Sequence, residues 1–269
     1  DIIIKKVKPD IIFHLAAQSF PKTSFDSPLD TYDTNIQGTT RLLEAAKRHV
    51  PNAIIHVCAS SEVFGRVSKD KLPIDENCSF HPASPYAISK VGTDLVGRFY
   101  AEAYGMTIMT TRMFTHTGPR RGDVFAESSF AKQIALIEAG LIEPVIHVGN
   151  LDSLRTVADV RDAVRAYFML VTCKPKAGEY YNIGGKKVVK VGEMLEYLIG
   201  LSIDSTKIEI RISPDRLRPI DADLQVPNTD KFIAHTGWKP MYNFEQTMFD
   251  LLEYWRHRVQ KDGGKFLMR

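Results

Sequence analysis

Short apolar runs alternate with helical patterns through the first two-thirds of the chain, and that alternation restricts the fold more than any other feature. Asp10-Ile11-Ile12-Phe13-His14-Leu15-Ala16-Ala17 is a continuous run after a proline, the pattern of a strand buried on both faces. Residues 30–49 predict a helix with Leu42, Leu43, Ala45 and Ala46 on a buried stripe. Lys47, Arg48 and His49 sit favourably at its negative end. Ala53-Ile54-Ile55-His56-Val57-Cys58 predicts a second strand, residues 86–104 a long helix closed by Gly105, and residues 106–112 a third strand rich in β-branched side chains. Strand, helix, strand, helix, strand at this spacing means βαβ units and a parallel sheet. Beyond residue 120 the pattern loosens. It predicts helices at 128–140, 159–172, 191–201, 229–235 and 244–260, short strands at 144–148, 179–183 and 207–211, and a polar loop between Pro219 and Pro227.

Composition removes several classes of function. The chain has 269 residues, 44% of them hydrophobic, and a net charge of +3, so it is neither disordered nor a strongly electrostatic nucleic-acid binder. No run approaches the length of apolar sequence that spans a bilayer, and the amino-terminal segment, broken by Lys5, Lys6, Lys8, Asp10 and His14, lacks the layout of a secretory signal. Cys58, Cys78 and Cys173 are odd in number and widely spaced, which predicts free thiols in a reducing cytoplasm and neither a disulfide framework nor a metal site.

Parallel crossovers bring the carboxyl ends of successive strands to one edge, where open α/β sheets bind ligands. The segments that follow those ends are Gln18-Ser19-Phe20, Ser60-Ser61-Glu62 and Thr115-His116-Thr117-Gly118-Pro119-Arg120-Arg121-Gly122. Tyr86 and Lys90 are four residues apart and share one face of the long helix. A phenol is a poor base at neutral pH, and a neighbouring ammonium favours the phenolate. The pair can exchange a proton with a substrate hydroxyl while a hydride leaves the same carbon. Ser60, at a strand end, can hold that substrate oxygen in line. Glu62, two residues on, points to the same side as Ser60 if the segment is extended. No Gly-x-Gly-x-x-Gly occurs, and Gly184-Gly185 predicts a turn after a late strand.

Taken together, Phe13-His14-Leu15-Ala16-Ala17, Asn35-Ile36-Gln37-Gly38-Thr39, Ala59-Ser60-Ser61-Glu62-Val63-Phe64-Gly65, Ser84-Pro85-Tyr86-Ala87-Ile88-Ser89-Lys90 and Gly118-Pro119 resemble the extended short-chain dehydrogenase/reductases. Within them the chain is most similar to the GDP-mannose 4,6-dehydratases and the related GDP-4-keto-6-deoxymannose reductases. The narrower likeness lies in Ala17-Gln18-Ser19-Phe20, His116 to Gly122, Gly149-Asn150-Leu151-Asp152, Leu217-Arg218-Pro219 with Asp221, and Thr236-Gly237-Trp238-Lys239-Pro240. The resemblance implies a Rossmann-like, doubly wound parallel sheet with a smaller α/β lobe. Residues 1–120 would be a partial NAD(P)-binding domain and residues 121–269 mainly a nucleotide-sugar lobe, with one strand or helix returning to the sheet.

It also implies roles. Ser60, Glu62, Tyr86 and Lys90 would be catalytic, with Glu62 as base at C5 of the sugar. Leu15, Ala16, Ala17, Cys58, Tyr86, Lys90, Phe114, His116 and Arg121 would meet NADP, with NAD as the other possible cofactor. Ser19, Ser61, Thr115, Arg120, Phe125, Lys132, Arg155, Arg218 and Asp221 would meet the substrate, the arginines suiting a diphosphate. The implied reaction is redox-neutral dehydration of GDP-mannose to GDP-4-keto-6-deoxymannose. The alternatives are the reductase, a nucleotide-sugar 4-epimerase, and an inactive sugar-nucleotide-binding scaffold. Relatives form homodimers or homotetramers, to which Val91, Leu95 and Phe99 could contribute, and a cytoplasmic setting follows.

The chain departs from the pattern at Thr115, where Asn is usual, at Phe64, where Tyr is usual, at Thr156, where Asp is usual, and at Ser60, where dehydratases often have Thr. Relatives carry roughly 60–75 residues before the segment that begins here, a size fitting two βαβ crossovers, so the sequence reads as amino-terminally truncated.

Overall fold

A computed structural model describes residues 1–203 and 207–263. The chain runs through α1 (Ile2–Val7), β1 (Ile11–His14), α2 (Pro21–Asp26), α3 (Pro28–Tyr32), a π turn (Asp33–Gln37), α4 (Gly38–His49), β2 (Ile54–Cys58), α5 (Pro85–Tyr104) and β3 (Ile108–Met113). It continues through β4 (His116–Thr117), α6 (Ala126–Glu138), β5 (Val145–Val148), β6 (Leu154–Thr156), β7 (Ala158–Asp159), α7 (Val160–Thr172) and β8 (Tyr180–Ile183). Then come β9 (Val188–Lys190), α8 (Val191–Gly200), β10 (Glu209–Ile212), β11 (Leu224–Gln225), α9 (Asp230–Thr236) and α10 (Phe244–Asp262). No described helix is long and apolar enough to cross a membrane.

The chain divides into two compact units that interleave in sequence. The first comprises Asp1–Phe114, Ala163–Gly184 and Ile220–Lys239. The second comprises Thr115–Asp162, Gly185–Pro219 and Pro240–Arg269, of which 204–206 and 264–269 lie outside the described residues. Two segments beyond residue 120, 163–184 and 220–239, thus join the unit that holds the sheet.

That sheet is parallel, in the order β1-β2-β3-β8. β3 lies between two neighbours and is buried at every position, Arg112 included, whose charge is met by Asp94 of α5 at 2.8 Å. β1 departs from the expectation of a strand buried on both faces. It pairs only with β2 in this sheet, and Ile11, Phe13 and Leu15 are 39%, 42% and 54% exposed. Sidedness depends on what lies alongside, and a run of apolar residues does not encode that.

α5 begins where Ser84 caps it, its Oγ accepting from the Ala87 N–H at 3.0 Å, with Pro85 in the first turn, and ends at Gly105 in the left-handed conformation. The single helix expected over 30–49 is instead α3 and α4 joined by the π turn. There the Asn35 carbonyl accepts hydroxyls from Thr39 at 2.6 Å and Thr93 at 3.1 Å, bonds that compete with regular helical pairing.

The second unit packs α6, α8 and α10 around Phe130, Ile134, Leu195, Leu198, Met248, Leu251, Leu252 and Trp255. Short ladders β4–β7 and β10–β5, both parallel, and β6–β9, antiparallel, surround them.

Candidate active site

Three chain segments converge at the carboxyl edge of the sheet in the first unit. Tyr86 and Lys90 lie in the first turns of α5 and are 8% and 4% exposed, so their shared face is the buried one. The Lys90 Nζ donates to the Cys58 carbonyl at 2.7 Å, at the end of β2. Burial pushes the Lys90 ammonium below its ordinary value, with Cys58 opposing that shift. His14 and His56 stand nearby as neutral rings. Burial, then Lys90, lowers His14 to about 4, and burial, His14 and Lys90 lower His56 to about 3.

Ser60 is extended and caps the 3-10 turn Ser61–Val63, its Oγ accepting from the Glu62 N–H at 3.2 Å. This corrects the expectation that alternation along an extended segment aims Glu62: the cap curls the chain at that point. The bond uses Ser60 as acceptor and leaves its hydroxyl proton to donate. Glu62 is half-buried, and its carboxylate makes no hydrogen bond or ion pair among the described residues.

Polar contacts outside the motifs hold this frame. The Ser24 Oγ accepts from the Tyr86 N–H at 2.9 Å. Asn35, 1% exposed, receives the Gln18 N–H at 2.8 Å and donates to the Gln18 carbonyl at 2.9 Å and to Ser89 Oγ at 2.8 Å. The strand-end segment carrying Gln18 and Ser19 is thereby tied to the helix that carries Tyr86 and Lys90. Asn35 was visible as part of a motif. Ser24 had no local signal, because its partner is 62 residues away.

Other expected residues of this unit have different placements. Ala16 and Ser19 are exposed with Leu15, and Ala17 is half-buried. The Phe114 ring is buried with Val63, Phe64 and Ile74 rather than presented at the strand ends. Ser61 is buried and Asp221 half-buried. Phe64 stacks on Phe114 in a dry cluster, where a phenol would need a partner for its hydroxyl.

The second unit carries the rest. Thr115 and His116 are half-buried, and Arg120 is exposed with a left-handed φ of 73°. Arg121 is engaged by Glu127 at 3.2 Å and lies over the Phe125 ring at 3.4 Å, and Lys132 pairs with Asp123 at 2.8 Å. Arg121 and Lys132 are therefore neutralised locally and are not free cations. Arg155 donates to the Leu154 carbonyl at 2.9 Å, and Arg218 is half-buried.

The donor set suits an organic cofactor better than a metal. Lys90 spends one of three N–H donors on Cys58 and makes no other hydrogen bond among the described residues, leaving two for ligand hydroxyls. No described cluster of three or more His, Cys, Asp or Glu could hold a metal ion.

A family model described as GDP-mannose 4,6 dehydratase matches residues 1–251. The chain belongs to that family. As a member of the GDP-mannose 4,6 dehydratase family, it is an extended short-chain dehydrogenase/reductase. It is 34% identical over 268 residues to GDP-mannose 4,6 dehydratase 1 of Arabidopsis thaliana, covering 96% of this chain and 72% of the relative. It is 31% identical over 254 residues to the GDP-6-deoxy-D-mannose reductase of Pseudomonas aeruginosa, covering 94% of this chain and 83% of the relative. The structure of RMD from Pseudomonas aeruginosa complexed with NADPH superposes with a TM-score of 0.86 at 31% identity, over 93% of this chain and 82% of that one. The dTDP-glucose 4,6-dehydratase of Bacillus anthracis in complex with NAD gives 0.80 at 25% identity, over 96% and 76%.

Proposed function

We propose that this family member catalyses the 4,6-dehydration of GDP-mannose to GDP-4-keto-6-deoxymannose, using NADP. The observation that carries the reading is the buried Tyr86–Lys90 pair with its ammonium seated on the Cys58 carbonyl, together with Glu62 on the turn capped by Ser60, a carboxylate with no hydrogen bond or ion pair among the described residues. The choice of NADP draws on the similar Pseudomonas aeruginosa structure complexed with NADPH, while the Bacillus anthracis one holds NAD. A nicotinamide cofactor, which Tyr86, Lys90 and the strand-end residues would hold, would supply reversible hydride transfer with the sugar.

Ser60 donates its free hydroxyl proton to the C4 oxygen and holds it in line. Tyr86 accepts the C4 hydroxyl proton at its phenolate oxygen, which the Lys90 charge favours. The ketone so formed acidifies C5. Glu62 takes the C5 proton and passes it to the departing C6 hydroxyl, which leaves as water; saturation of the resulting C5–C6 double bond takes the hydride at C6 and a proton at C5, replacing the one Tyr86 accepted from the C4 hydroxyl, so atoms and electrons balance. Arg155 and Arg218, with Arg120, are the candidates for the diphosphate, and a homodimer or homotetramer in the cytoplasm completes the reading.

The second reading is the reductase, favoured by the Pseudomonas aeruginosa relative. It needs Ser60, Tyr86 and Lys90 but no base at C5. Incubation with GDP-mannose and no added NADPH separates the two. A product lighter by one water supports the dehydratase. No turnover, together with reduction of a supplied 4-keto sugar, replaces it with the reductase.

A further inference from the structure

Tyr167 belongs to no motif of the sequence, yet it lies against the residue on which Lys90 rests. It is 6% exposed on α7, in the part of that helix belonging to the first unit, and its ring lies 4.5 Å from the His56 ring at 31°. Its hydroxyl is 3.7 Å from the Cys58 Sγ, within hydrogen-bond reach of a sulfur. The same Cys58 offers its carbonyl to Lys90 Nζ at 2.7 Å. One residue at the end of β2 is thus held by two helices, through its side chain from α7 and through its main chain from α5.

We propose that Tyr167 is a positioning residue for the Tyr86–Lys90 pair: its hydroxyl fixes Cys58, and Cys58 presents the carbonyl that seats the Lys90 ammonium. The inference rests on the assignment of Tyr86 and Lys90 as the proton-handling pair. Burial first, then Cys58 and Tyr86, holds the Tyr167 phenol well above its ordinary value, so it stays a neutral hydroxyl while Tyr86 works. The other titratable groups around the pair are His14 of β1, His56 of β2, Glu62 of the 3-10 turn and the buried Arg112–Asp94 ion pair between β3 and α5. On α2, α3 and the π turn, Lys22, Asp26, Asp30 and Asp33 are exposed.

Tyr167→Phe keeps the ring and its stacking and removes only the hydroxyl. The Lys90 seat then loosens, Tyr86 loses part of its cationic neighbour, and the acid limb of kcat moves about half a pH unit or more to higher pH, with KM and melting temperature little changed. Cys58→Ala should give the same displacement, Cys58→Ser should restore most of the wild-type profile, and Tyr167→Phe added to Cys58→Ala should add nothing. A readout independent of turnover is ultraviolet titration of the phenols, in which wild type minus Tyr86→Phe isolates Tyr86. If its ionisation rises in the Tyr167→Phe background while GDP-mannose is not turned over, the positioning role stands and the dehydratase reading falls. If Tyr86 titrates identically with and without the Tyr167 hydroxyl, the positioning role is overturned whatever the activity.

Discussion

Lys90 is a buried amine with no carboxylate partner among the described residues; its partner is a carbonyl. A charge held this way costs desolvation, which the proposed role of Lys90, favouring the Tyr86 phenolate and donating to a ligand, would offset. Glu62 is the opposite case, a half-buried carboxylate with no described contact that would hold its charge in reserve for a structural purpose. Glu62→Gln keeps the shape and removes the base. It should lower dehydration about 10²–10⁴-fold, the range for a lost general base, while nucleotide binding measured by calorimetry is spared. A variant with the wild-type rate would take Glu62 out of the mechanism. The residues around these two were unevenly legible. Tyr86, Lys90 and Ser60 stood out by spacing and by their position after strands. Tyr167 did not, because a tyrosine on the apolar side of a helix looks like core until its partner, 109 residues earlier, is known.

At the scale of elements, α5 was the most legible, since Ser84-Pro85 starts it and Gly105 stops it by local chemistry alone. β1 and the segment after Ser60 depart from a regular period for one reason: neighbours decide the exposure of the first and a cap the course of the second. The turn that carries Glu62 closes at Gly65, which has a φ of +53°, and a Cβ there would lie 1.7 Å from the His81 carbonyl oxygen. Gly65→Ala should therefore cost at least about 2 kcal/mol, from the left-handed conformation and the backbone clash together. Differential scanning calorimetry should show a fall of roughly 4–8 °C in Tm. An unchanged Tm would mean that this turn relaxes freely, and with it the setting of Glu62.

For the whole molecule, acid should be the weak side. His56 is fully buried and held at about 3 against 6.5 for the free side chain, so between those values the unfolded chain binds a proton that the folded one does not. Stability from this group is complete above 6.5 and is lost as pH falls below it, by roughly 1–2 kcal/mol at pH 5, with His14 adding in the same direction. Urea midpoints followed from pH 7.5 to 5 should fall steeply in the wild type and less in His56→Gln; parallel curves would remove His56 as the cause. Interleaving makes a second prediction. A fragment ending at residue 120 would lack β8, the partner of Thr110 to Met113, and should give a poorly dispersed amide spectrum and aggregate. A folded, monomeric fragment would show that the first unit does without its returning segments. The same pairing has a consequence at the ribosome. Thr110 meets Tyr180 only after about 70 further residues are made, roughly 4–14 seconds at ordinary elongation rates. During that interval the β3 edge of the nascent polypeptide stands naked, and the pace of translation together with chaperone supply governs how much protein reaches its finished form.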